Sequence, residues 1–312
     1  MSDSDHFEEV AEMVFDYQMA YNPTYRQFAG LLRRTNYAHV PFLPVEFFKS
    51  HEIKTTYFDP EIVFTSSGTT GMVTSRHFVY ETKWYEEVFT QTFINNYGNP
   101  ADFCFLCLLP SYLERDGSSL VYMAESLIRQ SKYDSSGFYL KANDDLIKQL
   151  TENQRMKIPT VLLGVTFALL DLAESRTLDL GDTIVMETGG MKGRRKEMTR
   201  PELHEILTSA FGVKAIHSEY GMTELMSQAY SKGAGIFSLP SQMKIIITDV
   251  NDPFEKLDDG RTGTVNIIDL ANVDSCAFLA TKDLGRTFPD GTFEILGRYD
   301  HSDVRGCNLL IA

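Results

Sequence analysis

Apolar residues recur at helical spacing near the start of the chain. Positions three or four residues apart predict an amphipathic helix that is closed by Pro23; these positions are Phe7, Val10, Ala11, Val14 and Phe15. Residues 25–34 predict a second helix. Short apolar runs at 61–66 and 76–80 predict two strands on either side of a glycine-rich turn, and residues 83–95 predict a helix.

Short apolar runs and amphipathic stretches alternate between residues 103 and 217. Strands are predicted over 103–109, 159–163, 183–187 and 213–217. Helices are predicted over 119–130, 143–153, 166–175 and 199–211. The last helix has its own start signal, since Thr199 and Glu202 form a capping box. Alternation of this kind is typical of an α/β fold whose sheet is mostly parallel.

Helical periodicity disappears after residue 242. Short runs at 244–248, 264–269 and 292–296 are separated by Asp-Gly and Pro-Asp-Gly turns, which predict a smaller β-rich subdomain. We therefore divide the chain into an α/β region over 1–240 and a β-rich region over 241–312.

Charge and composition exclude two classes of partner. The chain has 43 acidic and 29 basic residues and a formal net charge of -14, so it would repel a nucleic-acid backbone. The one dense basic run, at 192–196, is too short to change this. No stretch approaches the roughly 20 apolar residues that span a bilayer, and the acidic first residues carry no targeting signal. We expect neither a nucleic-acid partner nor membrane insertion.

Cysteine usage indicates a reducing compartment. Four cysteines in a chain of 312 residues give no disulfide framework, so we expect a cytoplasmic protein. Cys104 and Cys107 form a CxxC pair, but they lie within the strand predicted over 103–109. Residues three apart on a strand point to opposite faces, so this pair is not expected to bind a metal or to cycle as a redox pair.

A first candidate site lies between the two strands predicted early in the chain. Residues 65–71, Thr-Ser-Ser-Gly-Thr-Thr-Gly, place five hydroxyls and two glycines in seven positions. Glycine lets the backbone approach a ligand closely, and amides with hydroxyls bind phosphate oxygens. It is not a Walker A loop, because no Gly-Lys-Ser/Thr follows and a strand comes next. From the residues alone, a phosphate cradle and a polar turn are equally good interpretations.

A second candidate site, residues 218–224, follows the strand predicted over 213–217. Ligands of open α/β sheets bind at such carboxyl ends. Tyr220 offers a ring for stacking, Thr223 a hydroxyl for phosphate, and Glu224 a carboxylate for Mg²⁺, which prefers one or two carboxylates plus substrate phosphates. The alternative is an ordinary loop between a strand and a helix.

Four motifs, in order, resemble those of the adenylate-forming superfamily of acyl- and aryl-CoA ligases, peptide-synthetase adenylation domains and luciferases. Residues 64–71 resemble its phosphate loop and 220–224 its Tyr-Gly-x-Thr-Glu motif. Residues 283–285, Asp-Leu-Gly, resemble a third motif, and 297–300, Gly-Arg-Tyr-Asp, resemble its hinge. The resemblance implies the large-domain fold of these enzymes, layered α/β with a smaller β-rich subdomain, and it implies ATP and Mg²⁺ as cofactors.

The resemblance also implies roles, by position. Thr223 would contact the α-phosphate, Glu224 would hold Mg²⁺, Asp283 and Arg298 would hold the ribose hydroxyls, and Asp300 would be the pivot. The ATP phosphates would be held by Ser66, Ser67, Gly68, Thr69, Thr70 and Gly71. The adenine would be bordered by Gly189, Gly190, Met191, Glu219, Tyr220 and Gly221.

The chain departs from the superfamily in two respects. The phosphate loop usually ends in Pro-Lys, whereas this chain has Val73-Thr74, which leaves Arg76 or His77 as the nearest positive candidates. The mobile C-terminal domain, with the lysine that neutralises charge during adenylation, is expected to be absent. Mg²⁺ and the basic residues Lys192, Arg194 and Arg195 are the expected partial substitutes.

One branch of the superfamily, the LuxE-type acyl-protein synthetases, resembles the chain over most of its length and also ends shortly after a cysteine. The resemblance is carried by residues 66–76, 109–115, 118–123, 187–194 and 305–308. It implies that a carboxylic acid, expected to be a fatty acid, is activated as an acyl adenylate and transferred to Cys307. The final acceptor would be a reductase-like protein partner.

Residues near Cys307 suit an activated thiol. Arg298, His301 and Arg305 lie close in sequence, and positive neighbours lower a thiol pKa. The alternative is a small apolar residue in a terminal strand. Two other functions stay open: an AMP-forming CoA ligase of phenylacetate type whose C-terminal domain comes from another chain, and a noncatalytic protein that binds acyl groups or nucleotide.

Overall fold

The structure, a computed structural model, describes residues 3–66, 73–110, 117–189 and 198–299. In this part of the chain the helices are α1 (Asp3–Tyr21), α2 (Pro23–Leu31), α3 (Phe47–Ser50), α4 (Thr82–Tyr97), α5 (Ser119–Gln130), α6 (Asp144–Met156), α7 (Thr166–Ser175) and α8 (Arg200–Phe211). The first strands are β1 (Leu43–Pro44), β2 (Ile62–Thr65), β3 (Arg76–Val79), β4 (Cys104–Leu108), β5 (Gly137–Tyr139), β6 (Thr160–Val165) and β7 (Ile184–Thr188). The others are β8 (His217–Tyr220), β9 (Ala229–Ser231), β10 (Ile236–Ser238), β11 (Met243–Thr248), β12 (Gly263–Asp269), β13 (Phe278–Thr287) and β14 (Phe293–Arg298).

One long sheet runs through the described part of the molecule. Strands β5, β4, β6, β7 and β8 are parallel neighbours in that order, and the sheet continues antiparallel through β9, β10, β14, β13, β12 and β11. Strand β1 pairs with β13, while β2 and β3 form a separate hairpin. The fold is therefore α/β with a β-rich portion, as predicted. The division at residue 240 stays a prediction.

Two hydrophobic cores form around this sheet. The first packs helices α4 to α8 against the parallel strands and includes Phe89, Leu106, Leu163 and Phe211. The second packs α1 and α2 against the antiparallel strands, where the Tyr25 and Phe278 rings stack with centroids 5.8 Å apart.

Polar side chains bind the first two helices to the β-rich portion. The amide of Gln18 donates to the carbonyl of Val273 (2.9 Å) and accepts from the backbone N–H of Ala277 (3.1 Å). Asn22 donates to the carbonyl of Ser275 at 2.7 Å. The start of the chain thus packs on residues 253 to 259 positions away, a contact that no local pattern in the sequence indicates.

Most predicted elements are confirmed, and two helices match at both ends. These are α5 and α7, predicted over 119–130 and 166–175. The capping box at α8 is also confirmed: the Thr199 N–H donates to the Glu202 carboxylate (2.8 Å), and the Glu202 N–H donates to the Thr199 hydroxyl (3.4 Å).

One predicted strand was wrong, and five strands were not predicted: β1, β5, β9, β10 and β13. Residues 213–216 are not in a strand, and β8 begins at His217, where it pairs with Met186 of β7. Val213 and Ile216 are buried, so their side chains pack in the core without joining a hydrogen-bonded ladder. Strand β13, ten residues long, was not predicted because charged residues interrupt its apolar pattern.

The cysteines of the described residues are buried and free. Cys104 and Cys107 lie on β4 and are fully buried, and burial raises the pKa of the Cys107 thiol. Cys276 is also buried, and burial raises its pKa to about 12. Over the described ranges no helix is long and apolar enough to cross a membrane.

Candidate functional site

The candidate site lies where the parallel strands end. Strands β7 and β8 run side by side, so Thr188 at the end of β7 pairs with Glu219 of β8. The segment 221–224 continues directly from β8, and the antiparallel strands β13 and β14 bring a second set of side chains to it. Carboxyl ends of parallel strands are the usual ligand edge of an α/β sheet.

Tyr220, Asp283 and Arg298 form one hydrogen-bonded group. The Tyr220 hydroxyl donates to Asp283 Oδ2 (2.7 Å), and Arg298 Nε donates to Asp283 Oδ1 (3.4 Å). The register of β13 against β14 places Asp283 directly opposite Arg298. Burial and the neighbouring carboxylate raise the pKa of Tyr220, so it stays a hydrogen-bond donor. The Arg298 side chain is 75% exposed and leaves its guanidinium accessible to a ligand.

Asp283 and Arg298, which were both predicted to hold the ribose hydroxyls of a nucleotide, are therefore in contact, although 15 positions separate them in the sequence. A carboxylate held by a tyrosine, next to an accessible guanidinium, provides an acceptor and several donors for a pair of hydroxyls.

Glu224 is buried beside the first candidate segment. Burial raises the pKa of its carboxyl, an effect opposed by a hydrogen bond with Ser75 and by the charges of Arg298 and Lys49. Ser75 in turn donates its backbone N–H to Ser66 Oγ at 2.9 Å. Ser75 therefore lies between Ser66, where the described part of the predicted phosphate loop ends, and Glu224, the predicted metal ligand.

His77 contacts the main chain of the second candidate segment, residues 218–224. Its Nδ1 lies 2.8 Å from the carbonyl oxygen of Thr223, and its Nε2 lies 3.0 Å from Asn272 Oδ1. Asn272 donates to the carbonyl of Glu224 at 2.8 Å. Burial lowers the pKa of His77 to about 4, so the ring is neutral at pH 7. As a positive substitute for the missing loop lysine, His77 was a wrong candidate, because it is buried and uncharged.

Glu219 lies within β8, and the prediction that it follows a strand was wrong. Its carboxyl group accepts a hydrogen bond from the Thr188 hydroxyl. Burial raises its pKa to about 7, with the charge of Glu187 adding to the rise. Gly221 packs against it: a Cβ at this position would lie 2.5 Å from Glu219 Oε1, so any larger residue would require the Glu219 carboxyl to shift.

Glu187 on β7 is a second buried carboxylate, which the sequence analysis did not single out. Arg200 Nε donates to it (3.2 Å), and His204 Nε2 lies 3.7 Å away. Burial opposes ionisation, but His204, Arg200 and Ser218 outweigh it and lower the pKa of Glu187. The signal was present: a charged residue inside an otherwise apolar predicted strand must have a partner.

The remaining predicted residues divide into two groups. The carbonyl of Gly189 accepts from the Thr166 hydroxyl (2.6 Å), and the φ of Gly189, +72°, is one that glycine adopts readily. Outside the described residues lie Ser67, Gly68, Thr69, Thr70, Gly71, Gly190, Met191, Lys192, Arg194, Arg195, Asp300, His301, Arg305 and Cys307.

Glu224 fits the requirements of a Mg²⁺ site. Among the described residues no three His, Cys, Asp or Glu side chains cluster as a metal centre of their own. Mg²⁺ that arrives with a nucleotide needs only one or two carboxylates, because phosphate oxygens and waters complete its shell. Burial raises the pKa of the Glu224 carboxyl, and a cation bound beside it would favour its ionised form.

Comparisons with known proteins give a fold but no family. No protein-family model matches the chain, and no curated protein matches it. Among solved structures, ATP-bound MatB from Rhodopseudomonas palustris superposes with a TM-score of 0.57 at 20% identity, over 78% of this chain and 50% of that chain. This chain therefore spans about half the length of that protein.

Two further solved structures have the same fold. The open conformation of 2-hydroxyisobutyryl-CoA ligase, in complex with 2-HIB-AMP and CoA, has a TM-score of 0.66 at 13% identity, over 95% of this chain and 69% of that chain. A luciferase-like enzyme from the nonluminescent Zophobas morio mealworm has a TM-score of 0.50 at 14% identity, over 79% and 60%. These likenesses confirm the predicted fold, that of adenylate-forming enzymes.

Proposed function

We propose that this chain is an ATP-dependent, AMP-forming ligase that activates a carboxylic acid as an acyl adenylate. The observation that carries the proposal is the joining of Tyr220, Asp283 and Arg298 with the segment that contains Thr223 and Glu224. The same fold holds ATP in MatB, and 2-HIB-AMP with CoA in 2-hydroxyisobutyryl-CoA ligase.

Adenylation joins a carboxylate oxygen to the α-phosphorus of ATP and releases pyrophosphate. In our proposal the Asp283 carboxylate and the Arg298 guanidinium hold the ribose hydroxyls, while Thr223 orients the α-phosphate. Glu224 holds Mg²⁺, which, when bound, offsets negative charge on the phosphates. Positioning and charge stabilisation account for most of the catalysis of phosphorus chemistry, and every residue named acts in one of these two ways.

Transfer to Cys307 is the second half of the proposal. The thiolate would attack the acyl carbonyl, a thioester would form, and AMP would leave with the electrons of the broken C–O bond. The fourth cysteine is the candidate because Cys104, Cys107 and Cys276 are all fully buried. A fatty acid as substrate, a reductase-like acceptor protein and a cytoplasmic location belong to the same proposal.

The adenylation half predicts acid-dependent exchange of pyrophosphate into ATP. Substitution Glu224→Gln removes the carboxylate and is expected to lower the exchange rate by roughly 100-fold or more, since removal of one preorganised charge typically has that effect. The control is Glu205→Gln, an exposed carboxylate on α8, which should exchange at the wild-type rate. Absence of exchange in the wild type with every acid tested would overturn the proposal.

The transfer half predicts a covalent acyl group on denatured protein. Intact-mass measurement after incubation with ATP, Mg²⁺ and a panel of acids should show the mass of one acyl group, with the identity of the acid. Cys307→Ser should abolish this mass and leave pyrophosphate exchange intact. A retained label in Cys307→Ser would show that another residue is the acceptor.

A second candidate is a CoA ligase completed by a domain from another polypeptide. The observation that favours it is the structural match to a ligase captured with its adenylate and CoA. CoA-dependent consumption of the adenylate by wild type and Cys307→Ser alike would select this function over self-acylation.

A further inference from the structure

The start of β3 connects the two candidate segments to one another. Ser75 donates its backbone N–H to Ser66 Oγ at 2.9 Å, and its side chain lies beside the Glu224 carboxyl, whose pKa it lowers. Two residues later, His77 lies against the Thr223 carbonyl. Asn272, on the short helical turn Leu270–Asn272, contacts His77 on one side and donates to the Glu224 carbonyl on the other. We call Ser75, His77 and Asn272 the bracket.

We propose that His77 and Asn272 are positioning residues for adenylation: they fix the main chain of Thr223 and Glu224 relative to the segment that ends at Ser66. This inference rests on the proposed function. It assigns to these two residues a role that neither the motifs nor the comparisons indicate.

The geometry favours a rigid connection over incidental packing. His77, Asn272 and Ser75 are 1%, 1% and 2% exposed, so their hydrogen bonds do not compete with water. Both oxygen neighbours of the ring, the Thr223 carbonyl and Asn272 Oδ1, are acceptors, and a neutral imidazole has one N–H, so His77 donates to one of them and is in polar contact with the other. The ring is also held edge-on against Phe48, with centroids 5.8 Å apart.

Met226 and Ser227, which follow Glu224 in the same loop, are also held by hydrogen bonds. Asp269 accepts from the backbone N–H groups of Met226 (2.9 Å) and Ser227 (3.0 Å), and from the Ser227 hydroxyl (2.7 Å). Asp269, the last residue of β12, therefore holds the residues after Glu224 by three hydrogen bonds. His77 and Asn272 contact the carbonyls of Thr223 and Glu224 themselves. The bracket is therefore the part of this network that determines the position of the two residues proposed to act on the nucleotide.

A displacement of about 1 Å in a catalytic group can lower a rate about 100-fold. His77→Phe keeps the ring and its contact with Phe48 but removes both polar contacts. We expect kcat for pyrophosphate exchange to fall roughly 10- to 100-fold, with KM for ATP changed less than about threefold, because the misplaced groups act on the reacting phosphate. His77→Asn can still donate to the Thr223 carbonyl and should recover most of the rate.

A matched control is available on β8. His217 is a partly buried histidine at the other end of β8, where its Nδ1 lies 3.1 Å from the Tyr97 hydroxyl. His217→Phe makes the same chemical change away from the site and should leave kcat unchanged. If both phenylalanine variants are folded by circular dichroism and exchange at equal rates, the inference fails while the proposed function stands.

Asn272 supplies a second, independent test. Because His77 and Asn272 are expected to act as one unit, the double variant His77→Phe/Asn272→Ala should be about as slow as the slower single variant. Rate losses that multiply would show two unrelated structural roles and would overturn the inference. A wild type that exchanges no pyrophosphate would overturn both the inference and the proposed function, a result distinct from either variant outcome.

The single tryptophan gives a readout that stability alone would not move. Trp84 Nε1 donates to the carbonyl of Ala271 (2.9 Å), the neighbour of Asn272, and Trp84 and His77 line the same small cavity. Titration with ATP and Mg²⁺ should change Trp84 fluorescence in the wild type and in His217→Phe. The change should be lost in His77→Phe, and its persistence there would contradict a connection through the bracket.

Discussion

Two glutamates of one motif have different environments, although the sequence places them only five positions apart. Glu219 lies inside β8, where burial raises its pKa to about 7 and the Thr188 hydroxyl is its hydrogen-bond donor. Glu224 lies in the segment after the strand, near the positive charges of Arg298 and Lys49. Burial raises the pKa of both carboxyls, but the positive charges oppose the rise at Glu224, whereas the charge of Glu187 adds to it at Glu219.

Stability is expected to fall with rising pH because of Glu219. Between its ordinary value of 4.5 and about 7, the folded protein keeps a proton that the unfolded chain releases, so folding is weakened as pH rises through this window and the loss is complete above pH 7. The size is on the order of 3 kcal/mol.

The variant Glu219→Gln should lack this dependence. Urea unfolding at pH 5 and pH 8 measures it: relative to Glu219→Gln, the wild type should lose on the order of 3 kcal/mol between the two pH values. Parallel pH profiles for the two proteins would mean that Glu219 ionises normally. Glutamine can still accept from Thr188, so the hydrogen bond itself is retained in the comparison.

At the scale of elements, β13 illustrates what a local pattern misses. Its ten residues alternate poorly between apolar and polar, and a bulge follows Leu284. Gly285 allows the bulge, since a Cβ there would lie 2.4 Å from the carbonyl oxygen of Glu294. Pairing with β12 and β14 forms this strand, and it is the register of that pairing that sets Asp283 opposite Arg298.

Helix α8, in contrast, carries its own boundaries. The capping box begins it, and Gly212, at a φ of +61°, ends it. Thr199→Ala should destabilise the protein by about 1 kcal/mol, because the capping box is broken: the backbone N–H of Glu202 loses the Thr199 hydroxyl that accepts its hydrogen bond. Thermal unfolding should show a decrease of about 2 °C in Tm. Ser209→Ala, an exposed position on the same helix, is the control and should show no decrease.

At the scale of the whole molecule, Arg200 joins the two portions of the sheet. Its Nε donates to Glu187 on β7, and its Nη1 donates to the carbonyl of Ile295 on β14 at 2.7 Å. Its guanidinium also lies 5.2 Å from the centre of the Phe237 ring on β10. One side chain at the start of α8 thus contacts a parallel strand beside the site and the strand that carries Arg298.

Loss of Arg200 should be costly because Glu187 is 4% exposed. Arg200→Met keeps the packing but leaves the carboxylate without its arginine partner, and we expect a loss of roughly 3 kcal/mol in the free energy of unfolding. The double variant Arg200→Met/Glu187→Gln should recover more than half of this loss, since no unpaired charge remains buried. Urea unfolding of the four proteins gives the comparison; equal stability of the single and double variants would contradict it.

The sequence by itself determined the local features of this protein. Helix ends follow from capping and glycine at α8, the alternation between residues 103 and 211 predicts the α/β class, and the order of the motifs indicates the adenylate-forming fold. All of these depend on contacts between residues a few positions apart or on a repeated local pattern, and such contacts are encoded in short windows.

The tertiary structure alone decided which side chains meet. His77 and Asn272 are 195 positions apart, and Tyr220 and Asp283 are 63 apart. The register of β13, the different charged neighbours of Glu219 and Glu224, and the packing of α1 against the β-rich portion likewise depend on the whole sheet. The physical reason is that burial and strand pairing are settled by competition among all apolar surfaces of the chain, which no local window contains.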